Sequence, residues 1–345
     1  MSLKIKSAIL IIATVLLASF SFYFWQIFRT PNLQTGENDG DFALLIPRGA
    51  TFETVMDSLN KHKVINDKIS FGFMARLLKY KEHVKFGRYV IKKEMNNYDA
   101  IRKLRAGAQD PMNITFNNIR LKEDLIQRLG NKFEFGPQKL GALLNDPNVC
   151  AKYGFDTTTI MCLFLPNTYE FFWTATPETF LDRMGDEYKK FWTDGRKAKA
   201  KTMNLSQTQV QVLASIVESE TKKEDEKPRV AGVYFNRLQK GMLLEADPTL
   251  VFAHRDFSIR RVLNRHKQID SPYNTYRFKG LPPGPINLPT LTSIDAVLNH
   301  ENHEYIYFVA RADFSGYHTF AKTYSEHLAN ARIYQQELTK RNILK

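Results

Sequence analysis

Cysteine is nearly missing from this chain of 345 residues, which holds Cys150 and Cys162 and no others. Two thiols cannot form a disulfide framework, and their spacing fits neither a Cys-x-x-Cys redox pair nor a zinc site. They read as small apolar core residues, with pairing left open because the eleven residues between them would close a feasible loop. No Gly-x-Ser-x-Gly elbow occurs and neither cysteine has a histidine near it in sequence, which removes Ser and Cys nucleophiles and acyl-bond hydrolysis. The HENHE run at 300–304 matches neither His-Glu-x-x-His nor His-x-x-Glu-His, and the other histidines are scattered. No metal and no cofactor are therefore expected. A dense basic run is absent too: Lys and Arg outnumber Asp and Glu by 49 to 36, but the resulting charge of +13 is spread along the chain. Such a field attracts anionic partners without forming a nucleic-acid tail, so no nucleic acid is expected as a partner.

What is present begins with an uncharged run of 21 residues at 8–28, AILIIATVLLASFSFYFWQIF. At helical rise it matches the ~30 Å hydrocarbon core of a bilayer. A cleaved signal peptide is the rival, but the run is longer than a signal core and ends in Phe22, Tyr23, Phe24 and Trp25 rather than at small residues. Those aromatics suit an interfacial belt. Lys4 and Lys6 precede the run, whereas only Arg29 follows it before the acidic Glu37, Asp39 and Asp41. The cation bias predicts a single-pass protein of the bacterial inner (cytoplasmic) membrane, with its N-terminus in the cytoplasm and its body in the periplasm.

The fold class expected is α+β, divided as a cytoplasmic tip and transmembrane anchor (1–29), a polar linker (30–40), a small α+β module (41–112) and a larger mixed α+β domain (113–345). In the small module, FALLIP and FGRYVI suit strands. Phe52, Val55, Met56 and Leu59 follow Thr51 at helical spacing, and YDAIRKL predicts a second helix stopped by Gly107. Beyond it, MNITF reads as a strand and 122–129 as a helix, with Phe171, Phe172 and Trp173 assigned to core packing.

In LSQTQVQVLASIVESET at 205–221, Ser206 can cap a helix whose stripe is Val210, Leu213, Ile216 and Val217. Glu218 follows that stripe directly. Beside apolar neighbours its carboxyl is expected to be partly desolvated, with its pKa raised so that it stays protonated as a general acid. KKEDEK then forms a charged turn, Pro228 opens a helix stopped by Gly241, and Glu245 and Asp247 flank a turn at Pro248. Between 271 and 289, SPYNTYRFKGLPPGPINLP carries five prolines and two glycines, which predicts a rigid irregular loop.

At these residues the chain resembles the MltG (YceG-like) family of endolytic murein transglycosylases. The match runs through ASIVESET (214–221), RVAGVYFNRLQKGM (229–242), ADPT (246–249), SPYNTY (271–276), GLPPGPI (280–286), YIYFVA (305–310) and GYHTF (316–320). The resemblance implies a lyase that cleaves the bond between N-acetylmuramic acid (MurNAc) and N-acetylglucosamine (GlcNAc) within peptidoglycan strands. The products would be 1,6-anhydro ends, from chemistry that ends nascent strand elongation. It implies that Glu218 is the catalytic residue, donating a proton and then taking one back. It also implies that Asn274, Thr275 and Tyr276, Pro283 and Gly284, and His318, Thr319 and Phe320 line the glycan cleft, with Glu220, Glu245 and Asp247 as further contacts to substrate. The module at 41–112 would be LysM-like, matched by IPRGATF, FGRYVI and YDAIRKLRAG, and the larger domain YceG-like. The implied partners are peptidoglycan glycan strands, the membrane through one helix, and peptidoglycan synthases. The chain departs from the family pattern at TFNNIR (115–120) and at Glu245, neither of which touches Glu218. The alternative is a catalytically inactive, membrane-tethered peptidoglycan-binding scaffold, against which the intact Glu218 motif argues.

Overall fold

Alternation and helical spacing account for the strands and helices of the first unit. The computed structural model describes residues 3–34 and 40–341. They form two compact units, one of residues 1–114 with 170–175 and one of 115–169 with 176–345. The first opens with α1 (Leu3–Arg29), the one described helix long and apolar enough to cross a membrane. Its last turns do not end freely: Ile27 is buried, Phe24 meets the edge of Phe73, and Phe28 lies against Tyr98. The expected linker also differs. Pro31 and Leu33 form isolated bridges to Asn96 and Ile65, and Leu33 is buried, so residues 31–34 are pinned to this unit. Residues 35–39 of that linker lie outside the described residues.

β1 (Phe42–Ile46) pairs antiparallel with β2 (Gly87–Ile91), Phe42 opposite Ile91. Leu44, Ile46, Tyr89 and Ile91 turn inward by the two-residue period of a strand. Against them pack α2 (Phe52–Lys61), α3 (Lys68–Leu77) and α4 (Asn97–Ala106). Thr51 caps α2 through a reciprocal bond with Thr54, and Gly107 ends α4 at φ 73°, a left-handed turn that a side chain resists. The chain leaves this unit within β3 (Met112–Phe116).

The second unit is mostly helical: α5 (Lys122–Gly130), α6 (Gly136–Leu144), α7 (Pro147–Lys152), then β4 (Asn167–Phe171), which pairs with β3 and passes into the first unit at Glu170, followed by α8 (Pro177–Phe191) and α9 (Asp194–Thr202). Tyr169 and Phe171 turn inward, which sends Phe172 outward to 51% exposure and leaves Trp173 half-buried; the core assignment fails for both. Cys150 and Cys162 are free and buried. The centre of the unit is α10 (Gln207–Glu220), capped by Ser206 and buried along Val210, Leu213, Ile216 and Val217. It packs against α11 (Lys227–Gln239), α12 (Asp247–His254) and α13 (Leu291–Leu298). Pro248, expected in a turn, occupies the first turn of α12, where its missing N–H has no helical partner to lose. A hairpin of β5 (Tyr307–Ala310) and β6 (His318–Ala321) precedes α14 (Tyr324–Lys340). Gly232 lets the chain at 301–303 close on α11, since a Cβ there would lie 2.6 Å from the Glu301 carbonyl oxygen.

The loop at 269–290 contains no helix or strand. It is tied to α10 by side chains. Ser215 Oγ accepts the Ile286 N–H at 3.1 Å, and Asn287 Nδ2 donates to the Ser215 carbonyl at 3.0 Å and to Ser219 Oγ at 2.6 Å. The Leu288 N–H donates to the Ile119 carbonyl at 2.8 Å. Five prolines limit the conformations this loop can take, and buried polar partners fix the one observed.

Candidate active site

Glu218 lies in the last turn of α10, and its carboxyl is met by side chains from two other helix N-termini. Lys227, the first residue of α11, donates from Nζ to Oε2 at 3.0 Å. Thr290, the cap of α13, donates to the same oxygen at 2.6 Å, and Ser293 in the first turn of α13 donates there as well. Lys222 Nζ is 3.5 Å from Oε1. The Lys227 side chain is 1% exposed and that of Glu218 15%. The buried ammonium also donates to Glu224 at 2.6 Å and reaches Thr290 Oγ at 3.4 Å, which occupies all three of its donors.

This corrects the expected charge state. Burial does push the Glu218 carboxyl up, but the bonds from Ser293 and Thr290 and the bond and charge of Lys227 outweigh it, holding the pKa at about 2, below the ordinary 4.5. Apolar spacing predicted the desolvation and missed the donors.

The carboxyl opens on a cleft of about 610 Å³. One wall comes from Asn117, Asn118 and Arg120, the second from Val251 and Phe252 of α12 with Phe257, Ile259 and Arg260 beyond it, and the third from Ile286 to Leu288. Arg120 stacks over Phe257 at 4.7 Å. Flat apolar faces beside amide and guanidinium donors suit sugar rings, and Arg120, Arg260 and Lys222 suit carboxylates carried on those rings.

A second, smaller cavity of about 270 Å³ adjoins Glu220 and Asp247, which border both spaces. Glu220, the last residue of α10, accepts a hydrogen bond from the Tyr234 hydroxyl at 2.6 Å. Burial raises its pKa, the Tyr234 bond pulls the other way, and the charge of Asp247 adds to the rise, reaching about 7. The Tyr276 hydroxyl donates to Asp247 at 2.6 Å, and Arg237 pairs with Glu245.

Of the residues expected to line the site, Glu218, Glu220 and Asp247 border the cleft, while Glu245 and Tyr276 border only the smaller cavity. Asn274 and Thr275 are buried and brace the loop. Asn274 donates to the carbonyls of Lys267 and Ile269, and Thr275 Oγ bonds the Ala246 N–H and Thr249 Oγ. Pro283 and Gly284 border neither cavity, and Gly284 lies against Thr158 and Tyr273. His318, Thr319 and Phe320 border neither as well. The ring of His318 bonds Glu226 at 2.8 Å, and Phe320 packs on Tyr305 and Phe308. The placement of Asn117, Arg120 and Thr290 at the cleft, and of Lys227 and Ser293 on the Glu218 carboxyl, was not foreseen. Lys227 stood in a charged run that resembles a solvated turn, and the only signal was its position directly before the helix-opening Pro228.

Residues 44–333 match the model of the YceG-like family. The chain is 30% identical over 305 residues to the endolytic murein transglycosylase of Bacillus subtilis (strain 168), covering 82% of this chain and 81% of that protein. It is 25% identical over 295 residues to the endolytic murein transglycosylase of Streptococcus pneumoniae serotype 2 (strain D39), covering 77% of this chain and 53% of that protein, about half its length. The crystal structure of a yceG-like protein from Listeria monocytogenes shares the fold, with a TM-score of 0.55 at 24% identity over 84% of this chain and 98% of that one.

Proposed function

The chain belongs to the YceG-like family, and on that premise we propose that it is an endolytic lytic transglycosylase of peptidoglycan. It cuts the MurNAc–GlcNAc bond inside glycan strands, leaves 1,6-anhydroMurNAc ends and ends the growth of nascent strands. The observation that carries this reading is the Glu218 carboxylate, fixed by Lys227, Thr290 and Ser293 at the wall of a cleft wide enough for sugar rings. A hydrolase needs a second carboxylate to activate water or attack the sugar, whereas an intramolecular displacement by the MurNAc 6-hydroxyl needs none. An ionised Glu218 is suited to taking the proton from that hydroxyl as it closes on C1. Asp247 and Glu220 border the same space and contact substrate.

α1 anchors the chain in the bacterial inner membrane with the body in the periplasm, where strands are made, and the unit at 41–112 is LysM-like and holds glycan. Synthases are the partners that such a location provides. Protease added to spheroplasts should digest the body, and protection would reverse the orientation. Glu218→Gln should still bind glycan strands while anhydro products fall by about a thousandfold. Turnover retained in that variant would reject the assignment.

A further inference from the structure

We propose that Arg120 and Arg260 form a subsite for the carboxylates that hang from MurNAc, on its lactyl arm or on the peptide attached there, so that the cleft selects strands by these acidic arms. This deepens the transglycosylase reading above and rests on it.

Of the two sugars that alternate along a strand, MurNAc alone carries such an arm. The cleft is lined by three cations, Arg120, Lys222 and Arg260, and by three carboxyls, Glu218, Glu220 and Asp247. Lys222 is spent on Glu218, its Nζ lying 3.5 Å from Oε1 and donating to the backbone carbonyl at 3.1 Å. The carboxyls have donors of their own: Lys227, Thr290 and Ser293 on Glu218, the Tyr234 hydroxyl on Glu220 and the Tyr276 hydroxyl on Asp247. The two guanidiniums make no ion pair and no hydrogen bond among the described residues. Elsewhere in this unit guanidiniums find acids. Arg196 grips Asp295 through bonds of 2.9 and 2.8 Å, and Arg229 meets Glu301 at 2.9 Å. Glu123, three residues from Arg120, pairs with Arg255 at 2.8 Å instead. What Arg120 has is the ring of Phe257, 4.7 Å away. Stacking engages the flat side of a guanidinium and leaves the N–H fork at its edge open to a carboxylate.

The backbone fixes where that fork stands. Asn118 takes a left-handed turn at φ 48°, which asparagine tolerates, and Ile119 beside it is buried, so Asn117, Asn118 and Arg120 are exposed. The Ile119 carbonyl accepts the Leu288 N–H at 2.8 Å, and two residues past Leu288 the Thr290 hydroxyl holds Glu218 at 2.6 Å. Two residues of chain span at most about 7 Å, so the segment that anchors Arg120 also anchors the reacting carboxyl. Arg260 comes from the turn that carries Phe257, where Asp256 accepts the Ser258 N–H at 3.0 Å and its hydroxyl at 2.6 Å. A sugar seated at Glu218 therefore meets the two open guanidiniums on neighbouring walls.

The test measures kcat and KM of the full chain in detergent on uncrosslinked strands in three forms. One keeps its peptide stems, one has lost them to an amidase so that the lactyl carboxylate is bare, and one keeps stems whose every carboxyl is converted to a methylamide. For the unaltered chain, methylamidation should raise KM at least about tenfold and change kcat by less than about threefold. Arg120→Gln should raise KM on intact strands by a similar factor, after which methylamidation adds less than about twofold. Arg260→Gln should do the same to a smaller extent, and Arg120→Lys, which keeps the charge without the fork, should recover part of the loss. A low KM on bare strands assigns the carboxylate to the lactyl arm, and a low KM on intact strands alone assigns it to the peptide; either supports the subsite. Equal KM on intact and methylamidated strands in the unaltered chain overturns it, as does an Arg120→Gln penalty of the same size on both. An unaltered chain that yields no anhydro products from intact strands overturns instead the reading on which the proposal rests, and equilibrium binding of the three forms to the same variants still reads the preference.

Discussion

The cleft beside Glu218 and the smaller cavity beyond Glu220 share the last turn of α10 as a wall, yet they are built from different material. Around Glu218, two helix N-termini supply a buried ammonium and two hydroxyls, all donors. Around Glu220 the helix C-terminus, a phenol and a second carboxyl are gathered, and Arg237, the guanidinium that borders the smaller cavity, is taken by Glu245. Two identical side chains, two residues apart, are thereby driven to about 2 and about 7. Chemical type does not decide a carboxyl's duty; the donors and charges that reach it from distant parts of the chain do.

The comparison can be broken most forcefully at Lys227. Lys227→Met leaves Glu218 without its buried cation. Stability should fall by about 3–5 kcal/mol, read in denaturant unfolding, and the pH below which activity is lost should rise. An unchanged midpoint would mean that Ser293, Thr290 and Lys222 suffice to hold the carboxylate. A smaller effect sharpens the contrast through pH. Glu218, with a folded pKa below 4.5, adds stability above pH 4.5 that is lost as pH falls toward 2. Glu220, with a folded pKa raised to about 7, favours the folded state below pH 4.5, an advantage lost as pH rises from 4.5 through 7. The Tm of Glu220→Gln should accordingly decline less across that interval than the Tm of the unaltered chain. Parallel curves would remove the claim that Glu220 is held neutral.

How far these environments could be read in the sequence follows from range. The stripe of α10, the Ser206 cap, the Pro228 start and the Gly107 stop are local signals, and the elements they predict stand. The irregular 269–290 loop was equally legible from its prolines. The charge state of Glu218 was not, because Thr290 and Ser293 arrive from 72 and 75 residues away. Nor does a motif reveal which of its side chains face a cleft. In the Asn274-Thr275-Tyr276 segment the first two brace the loop from inside, and the third alone reaches a cavity. His318 lay in a family motif as well, yet its ring is used by Glu226.

The measurement that tests the central claim most directly is mass spectrometry of the products that the full chain makes from purified, uncrosslinked glycan strands. Internal fragments ending in 1,6-anhydroMurNAc are the predicted result. Reducing ends would contradict it by showing that water reaches C1, and strands bound but left intact would mean a scaffold in place of an enzyme.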